Sequence, residues 1–198
     1  YLPATPVEAM GTVADTSAPG GRCLLLADAA SFAQRYEPYV FTTLNHDDGT
    51  STASFALKVD ATTELVHEWR DDAKPFGTGP SLRISQAGVQ VAGRVVAPVQ
   101  AGGWLRVQVR ASLKEGTTWD LVVTDAGGKA YTTTGLPPKT PGWHSLRWLG
   151  FIADAAVDAR ACLADVRVTN VPPGPTSTVS PLRSATDSLV YAARRVKL

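Results

Sequence analysis

Apolar and polar residues alternate with period two through much of this chain. In residues 51–59, Ala53, Phe55, Leu57 and Val59 fall on one side and Thr52, Ser54 and Lys58 on the other, the mark of a strand with one buried face. The stretch Glu64–Arg70 repeats the pattern, with Leu65, His67 and Trp69 on one face and Glu64, Val66, Glu68 and Arg70 on the other. Residues 104–111 alternate most cleanly, placing Leu105, Val107 and Val109 inward and Trp104, Arg106, Gln108 and Arg110 outward. An edge strand is expected at 7–13, and further strands at 23–26, 39–44, 81–84, 89–91, 95–96, 119–124, 129–134, 144–152 and 161–169. Between them stand turn signals, among them Asp48-Gly49 and the hairpin residues Asp125 to Gly128. One helical turn is read at 29–34.

About a dozen short strands with no long helix predict an all-β fold: a two-sheet antiparallel β-sandwich of jelly-roll type over residues 1–170. Residues 171–183, with the run PPGPTSTVSP, read as a Pro-rich linker. Residues 184–198 read as an ordered tail with a short C-terminal helix. Ser184 and Asp187 stand at capping-box spacing there, Leu189, Val190 and Ala193 are apolar, and Arg194, Arg195 and Lys197 are basic.

Charge narrows the partners. With 19 basic and 18 acidic side chains the chain carries +1, so no global field favours nucleic acid or an anionic membrane surface. No window approaches the roughly 18 to 20 apolar residues of a membrane span. The chain opens at Tyr1 without an initiator Met, from which an upstream export signal or a longer parent chain is expected. Both suit a secreted, extracellular or cell-surface protein. Its two cysteines, Cys23 and Cys162, are too few and too distant for a zinc site. A disulfide and two buried thiols are the remaining readings. Both cysteines fall in phase with inward residues, Cys23 with Leu25 and Cys162 with Val166 and Val168.

Candidate chemistry is sparse. Glu68, Arg70, Asp71 and Asp72 form the densest charge cluster, but only Glu68 shares a strand face with Arg70, so a two-carboxylate mechanism needs a second acid such as Asp120. A Glu68–Arg70 charge pair on a solvated sheet face is the simpler reading. His67, between Leu65 and Trp69, reads as a hydrogen-bonded core residue. His46, Asp47 and Asp48 read as a polar hairpin. No Gly-x-Ser-x-Gly elbow appears and neither cysteine has a neighbouring His. No cofactor motif is present; calcium is a candidate only where the first and last strands meet, through Glu8 and Asp165. Among five tryptophans, Trp69, Trp119 and Trp148 are in phase with apolar neighbours and are assigned to the core. Trp143 lies in a Pro/Gly loop, and Trp104 shares its face with arginines and a glutamine, a pairing that can stack on a sugar ring and bind its hydroxyls, with an indole at the sheet margin as the simpler reading.

The ordered series YEPYVF, ASFALKV, ELVHEWRD, GPSLRI, GGWLRVQV, TWDLVV, WLGFIADA and CLADVRVTN resembles a concanavalin A-like, laminin-G-like jelly-roll domain of exported bacterial proteins, including polysaccharide-processing ones. The resemblance covers residues 20–170 and is a pattern of strands. Jelly-roll glucanases carry a Glu-x-Asp-x-Glu strand, which His67-Glu68-Trp69-Arg70-Asp71 does not reproduce. The expected function is therefore a non-catalytic extracellular domain of carbohydrate-binding type, with Trp104, Arg106, Arg110, Glu68 and Arg70 as the ligand site and a polysaccharide or glycan as partner. The alternatives are a structural or assembly subunit that docks its N-terminal strand and C-terminal tail on further copies or a larger parent protein, and a glycoside hydrolase or polysaccharide lyase.

Overall fold

A computed structural model describes residues 10–173, apart from 33, 115 and 117. The linker beyond 173, the tail 184–198 and Glu8 lie outside the described residues. In chain order the strands are β1 (Met10–Ala14), β2 (Arg22–Asp28), β3 (Tyr39–His46), β4 (Thr50–Val59), β5 (Glu64–Arg70), β6 (Thr78–Ser85) and β7 (Gly88–Val91). They continue with β8 (Arg94–Ala97), β9 (Trp104–Ser112), β10 (Trp119–Thr124), β11 (Ala130–Leu136), β12 (Leu146–Ala153) and β13 (Ala159–Val171). One sheet has the order β1-β2-β13-β4-β9-β10-β11 and the other β3-β12-β5-β6-β7-β8. Every described pairing is antiparallel, and the chain crosses repeatedly between the layers, giving the expected jelly-roll β-sandwich. The helical turn expected at 29–34 is instead a turn closed by Phe32 N–H donating to the Ala29 carbonyl.

The inward residues of the two sheets meet in one core. Ala53, Phe55, Leu57 and Val59 of β4 and Leu105, Val107 and Val109 of β9 face Leu65 and Trp69 of β5, Leu82 and Ile84 of β6, and Leu149 and Phe151 of β12. His67 is fully buried among them, with its ring 4.5 Å from Phe151 and 4.8 Å from Phe55. Trp69 Nε1–H can only donate, and it lies 3.0 Å from His67 Nε2, so the other nitrogen, Nδ1, carries the proton and donates to the Gly150 carbonyl at 3.0 Å. Burial lowers the imidazole pKa to about 4, against the opposing pull of that carbonyl. His67 is thus the hydrogen-bonded core residue expected, held neutral.

Two β-bulges overturn details of the inside/outside reading. In β12 the register shifts between Leu146 and Trp148. Leu146 points inward, but beyond the extra residue the inward set becomes Leu149 and Phe151, and Trp148 turns outward. Trp143, the loop indole, is instead 3% exposed and packs against Trp69. Its ring lies over Gly79, where a Cβ would stand 2.4 Å from it. In β13 the register shifts between Ala164 and Arg167, and Asp165 has a φ of 51°. Val166 and Val168 pack toward the inter-sheet core, whereas Cys162 and Ala164 face the opposite way.

Cys23 and Cys162 form a disulfide with a Cα–Cα distance of 5.5 Å. It belongs to a small cluster with Ala18, Ala56 and Ala164, covered by Val13 and Trp104, so it sits on the outer side of the seven-stranded sheet and not between the sheets. The cysteines are 139 residues apart, and closing a loop of that length limits the unfolded chain. Replacing both by Ala is expected to lower unfolding stability by about 4 to 5 kcal/mol in chemical denaturation. Reductant should produce the same loss in the parent protein and none in the variant.

His67 supplies a pH test. Its folded pKa lies below the unfolded value of about 6.5, so the unfolded chain takes up the proton first as pH falls. The contribution is intact above about pH 6.5 and is lost progressively down to about pH 4, by about 3 kcal/mol. His67→Phe should flatten this part of a stability–pH profile, while costing about 1 to 3 kcal/mol at neutral pH by leaving Trp69 Nε1 unpaired.

Candidate ligand-binding faces

The outward face of the six-stranded sheet carries a row of rings. Tyr39 and Phe41 alternate outward along β3, and the bulge in β12 sends Trp148 up beside them. Ring centroids are 6.2 Å apart for Tyr36 and Tyr39, 5.9 Å for Tyr39 and Phe41, and 5.7 Å for Phe41 and Trp148, the last two pairs inclined by only 18° and 23°. The Arg70 guanidinium continues the row, 4.2 Å from the Trp148 ring centre and 4.5 Å from that of Phe76. These cation–π contacts fix the guanidinium between the two rings. Tyr36, Tyr39, Phe41, Arg70, Trp148 and Ile152 enclose a recess of about 430 Å³. Trp148 rests on Gly150, where a Cβ would lie 2.1 Å from the indole.

Glu68 anchors the charged end. Oε2 accepts from Arg70 Nε at 2.9 Å and Nη2 at 2.7 Å, and Oε1 accepts from Lys139 Nζ at 2.7 Å and Ser81 Oγ at 3.2 Å. Lys139 is brought there by the loop after β11, whose residues 139 and 140 donate to the carbonyls of Gly79 and Thr78. Burial pushes the Glu68 carboxyl up, but hydrogen bonds from Lys139 and Arg70 outweigh it and hold the group below the ordinary glutamate value. With four donors on its two oxygens it is an ionised organiser of cations. It is a poor general acid, because protonating it would break charge-assisted bonds.

Trp104, Arg106 and Arg110 lie elsewhere. They project from β9 on the outer side of the seven-stranded sheet, while Glu68 and Arg70 project from β5 on the outer side of the other. The five residues expected as one site are therefore split between opposite faces. Asp120 is on β10 of the seven-stranded sheet and cannot partner Glu68; its Oδ1 accepts from Gly135 N–H at 3.1 Å. Trp104 is committed to local packing: Nε1 donates to Ser17 Oγ at 3.0 Å, the ring lies 5.3 Å from Lys58 Nζ, and it covers the disulfide cluster. Lys58 in turn donates to Asp15, whose carboxyl that bond lowers to about 2. Arg106 and Arg110 are exposed. Asp165, named for calcium, accepts from Arg167 Nε at 2.9 Å and lies 3.9 Å from Arg106. At the β3–β4 hairpin, His46 Nδ1 lies 2.9 Å from Ser51 Oγ and Asp47 pairs with Arg147.

The ring row escaped sequence reading because it depends on the bulge that reverses Trp148. The alternation of Tyr39 and Phe41 was the available signal, since both share a face of β3.

No protein-family model matches the chain, and no curated protein sequence does. Among solved structures it is similar to a PL-14 alginate lyase from Aplysia kurodai, with 11% identity over 83% of this chain and 88% of that one and a TM-score of 0.58. It is also similar to an endo-β-1,4-glucuronan lyase from the fungus Trichoderma reesei, with 11% identity over 82% and 87% of the two chains and a TM-score of 0.57. A third likeness is the binding domain of Paraclostridial Mosquitocidal Protein 1, with 9% identity over 84% of this chain and 43% of that one and a TM-score of 0.50. These likenesses establish the fold.

Gly150→Ala tests how Trp148 is seated. The methyl group should push the indole off its strand and break the Arg70 stack, visible as altered tryptophan fluorescence and near-UV circular dichroism. The melting temperature should fall by only about 2 to 4 °C, as for a loss of about 1 kcal/mol in a domain of this size.

Proposed function

We propose that this chain is a non-catalytic carbohydrate-binding domain, and that the ring row on the six-stranded sheet is its glycan contact. The observation that carries this is the open recess walled by Tyr36, Tyr39, Phe41 and Trp148 and ended by a fixed Arg70–Glu68–Lys139 cluster. Aromatic rings shed water to the apolar C–H faces of pyranoses, while arginine, lysine and tyrosine hydroxyls satisfy sugar oxygens at the margin. Glu68 and Arg70 remain from the expected site, with the rings of β3 and β12 in place of Trp104. The fold likeness to an alginate lyase and a glucuronan lyase supports a glycan partner. The disulfide suits an oxidising, extracellular setting.

Glu68, held ionised by its full set of donors, is unsuited to be the acid of a two-carboxylate glycoside hydrolysis. Affinity gels cast with alginate, a glucuronan and a soluble neutral β-glucan test the reading. At least one polymer should retard the protein, and Trp148→Ala should weaken that retardation about tenfold, equivalent to about 1.4 kcal/mol. Failure of the folded parent protein to bind any of the three overturns the proposal. Release of unsaturated uronate ends by purified protein overturns its non-catalytic part.

A further inference from the structure

The opposite face has its own recess. On the seven-stranded sheet the short Ser54 of β4 leaves space beside the longer side chains of β9, a trough of about 240 Å³ lined by Ser54, Arg106, Gln108, Val122, Thr124 and Asp165. Arg110 extends the β9 row by one outward step, and Arg167 stands at the other side, on Asp165. Charge in the trough is uneven. Arg106 reaches Asp165 only at 3.9 Å, beyond hydrogen-bond length, and that carboxylate already accepts from Arg167 at 2.9 Å. Arg110 stands opposite Asp120 across the β9–β10 ladder, and Asp120 Oδ1 is engaged by the Gly135 N–H. Among the described residues, Asp165 is thus the carboxylate within ion-pair reach of Arg106 and Arg167, Arg110 faces Asp120 only across the ladder, and the Arg106 fork is left toward solvent, with 64% of its side chain exposed.

We infer that this trough is a second glycan site selective for an anionic substituent, a carboxylate or sulfate, and that the domain bridges two polysaccharide strands, one on each outer face. The inference rests on the carbohydrate-binding reading above and extends it to a separate surface. A planar guanidinium fork matches the two oxygens of a carboxylate or sulfate. Gln108, Ser54 and Thr124 add neutral donors and acceptors for sugar hydroxyls. The two faces differ in chemistry: the ring row works mainly through apolar contact and tolerates salt, whereas the trough works through exposed charge and weakens as salt rises. Lying on opposite sides of the two-layer sandwich, they cannot close on one short oligosaccharide, so joint occupancy links separate strands.

The test uses affinity gels containing alginate, dextran sulfate or a neutral β-glucan, at low and high salt, with Arg106→Ala/Arg110→Ala and Trp148→Ala. The arginine variant is expected to lose at least fivefold in affinity for alginate or dextran sulfate, and most of its salt dependence, while keeping its neutral-glucan affinity. Which anionic gel responds tells carboxylate from sulfate. Trp148→Ala should show the converse, and clustering of polysaccharide-coated beads by the parent protein should vanish in either variant. If the arginine variant binds every polymer as the parent does while Trp148→Ala still loses affinity, the trough is overturned and the ring row stands. If the parent binds none of the polymers, both readings fall. Equal retention of DNA and of the anionic glycans overturns the selectivity for a glycan.

Discussion

A strand in a two-layer sandwich has one face for the core and one for solvent, so each added residue exchanges the two. This phase constraint governs both surfaces of the protein. In β12 a bulge keeps Leu146 in the core and still lets Leu149 and Phe151 fill it, at the cost of turning Trp148 out. In β13 a second bulge returns Val166 and Val168 to the core after Cys162 and Ala164 have faced away. One irregularity creates the ring row, and the other restores the inward phase of β13 beyond the outward-facing Cys162.

The regular part of the fold was legible because its strands keep strict phase. The alternations of β4, β5 and β9 were read residue by residue, including the buried places of His67 and Trp69 and the outward places of Glu68, Arg70, Arg106 and Arg110. What could not be read was which sheet each outward face belongs to. Phase along a strand says in or out, but β5 and β9 are both outward-facing on layers that look in opposite directions. Trp148 was misassigned, and the burial of the loop residue Trp143 was not read, for a related reason. Trp148 was assigned to the core by unbroken alternation, while the loop containing Trp143 folds inward over Gly79, a close approach that only the assembled layers reveal.

Electrostatics separates the two faces as much as geometry does. On the six-stranded sheet the cations are spent on Glu68, which is buried to 5% exposure and needs them. Losing a partner there would leave a desolvated charge, so the cluster serves rigidity first. Across the sandwich, among the described residues, the arginines outnumber the carboxylates beside them and are well solvated, which leaves their charge toward solvent.

Two indoles of this protein sit on glycines of the six-stranded sheet, Trp143 over Gly79 on the inner side and Trp148 over Gly150 on the outer side. The same missing methyl serves different ends in the two places. At Gly79 it is a condition for closing the core, so selection for folding alone suffices to keep it. At Gly150 only the outer surface depends on it. Given the proposed glycan contact, a descendant lineage released from it would keep the first glycine and drift at the second, and such divergence would record when the surface stopped being used.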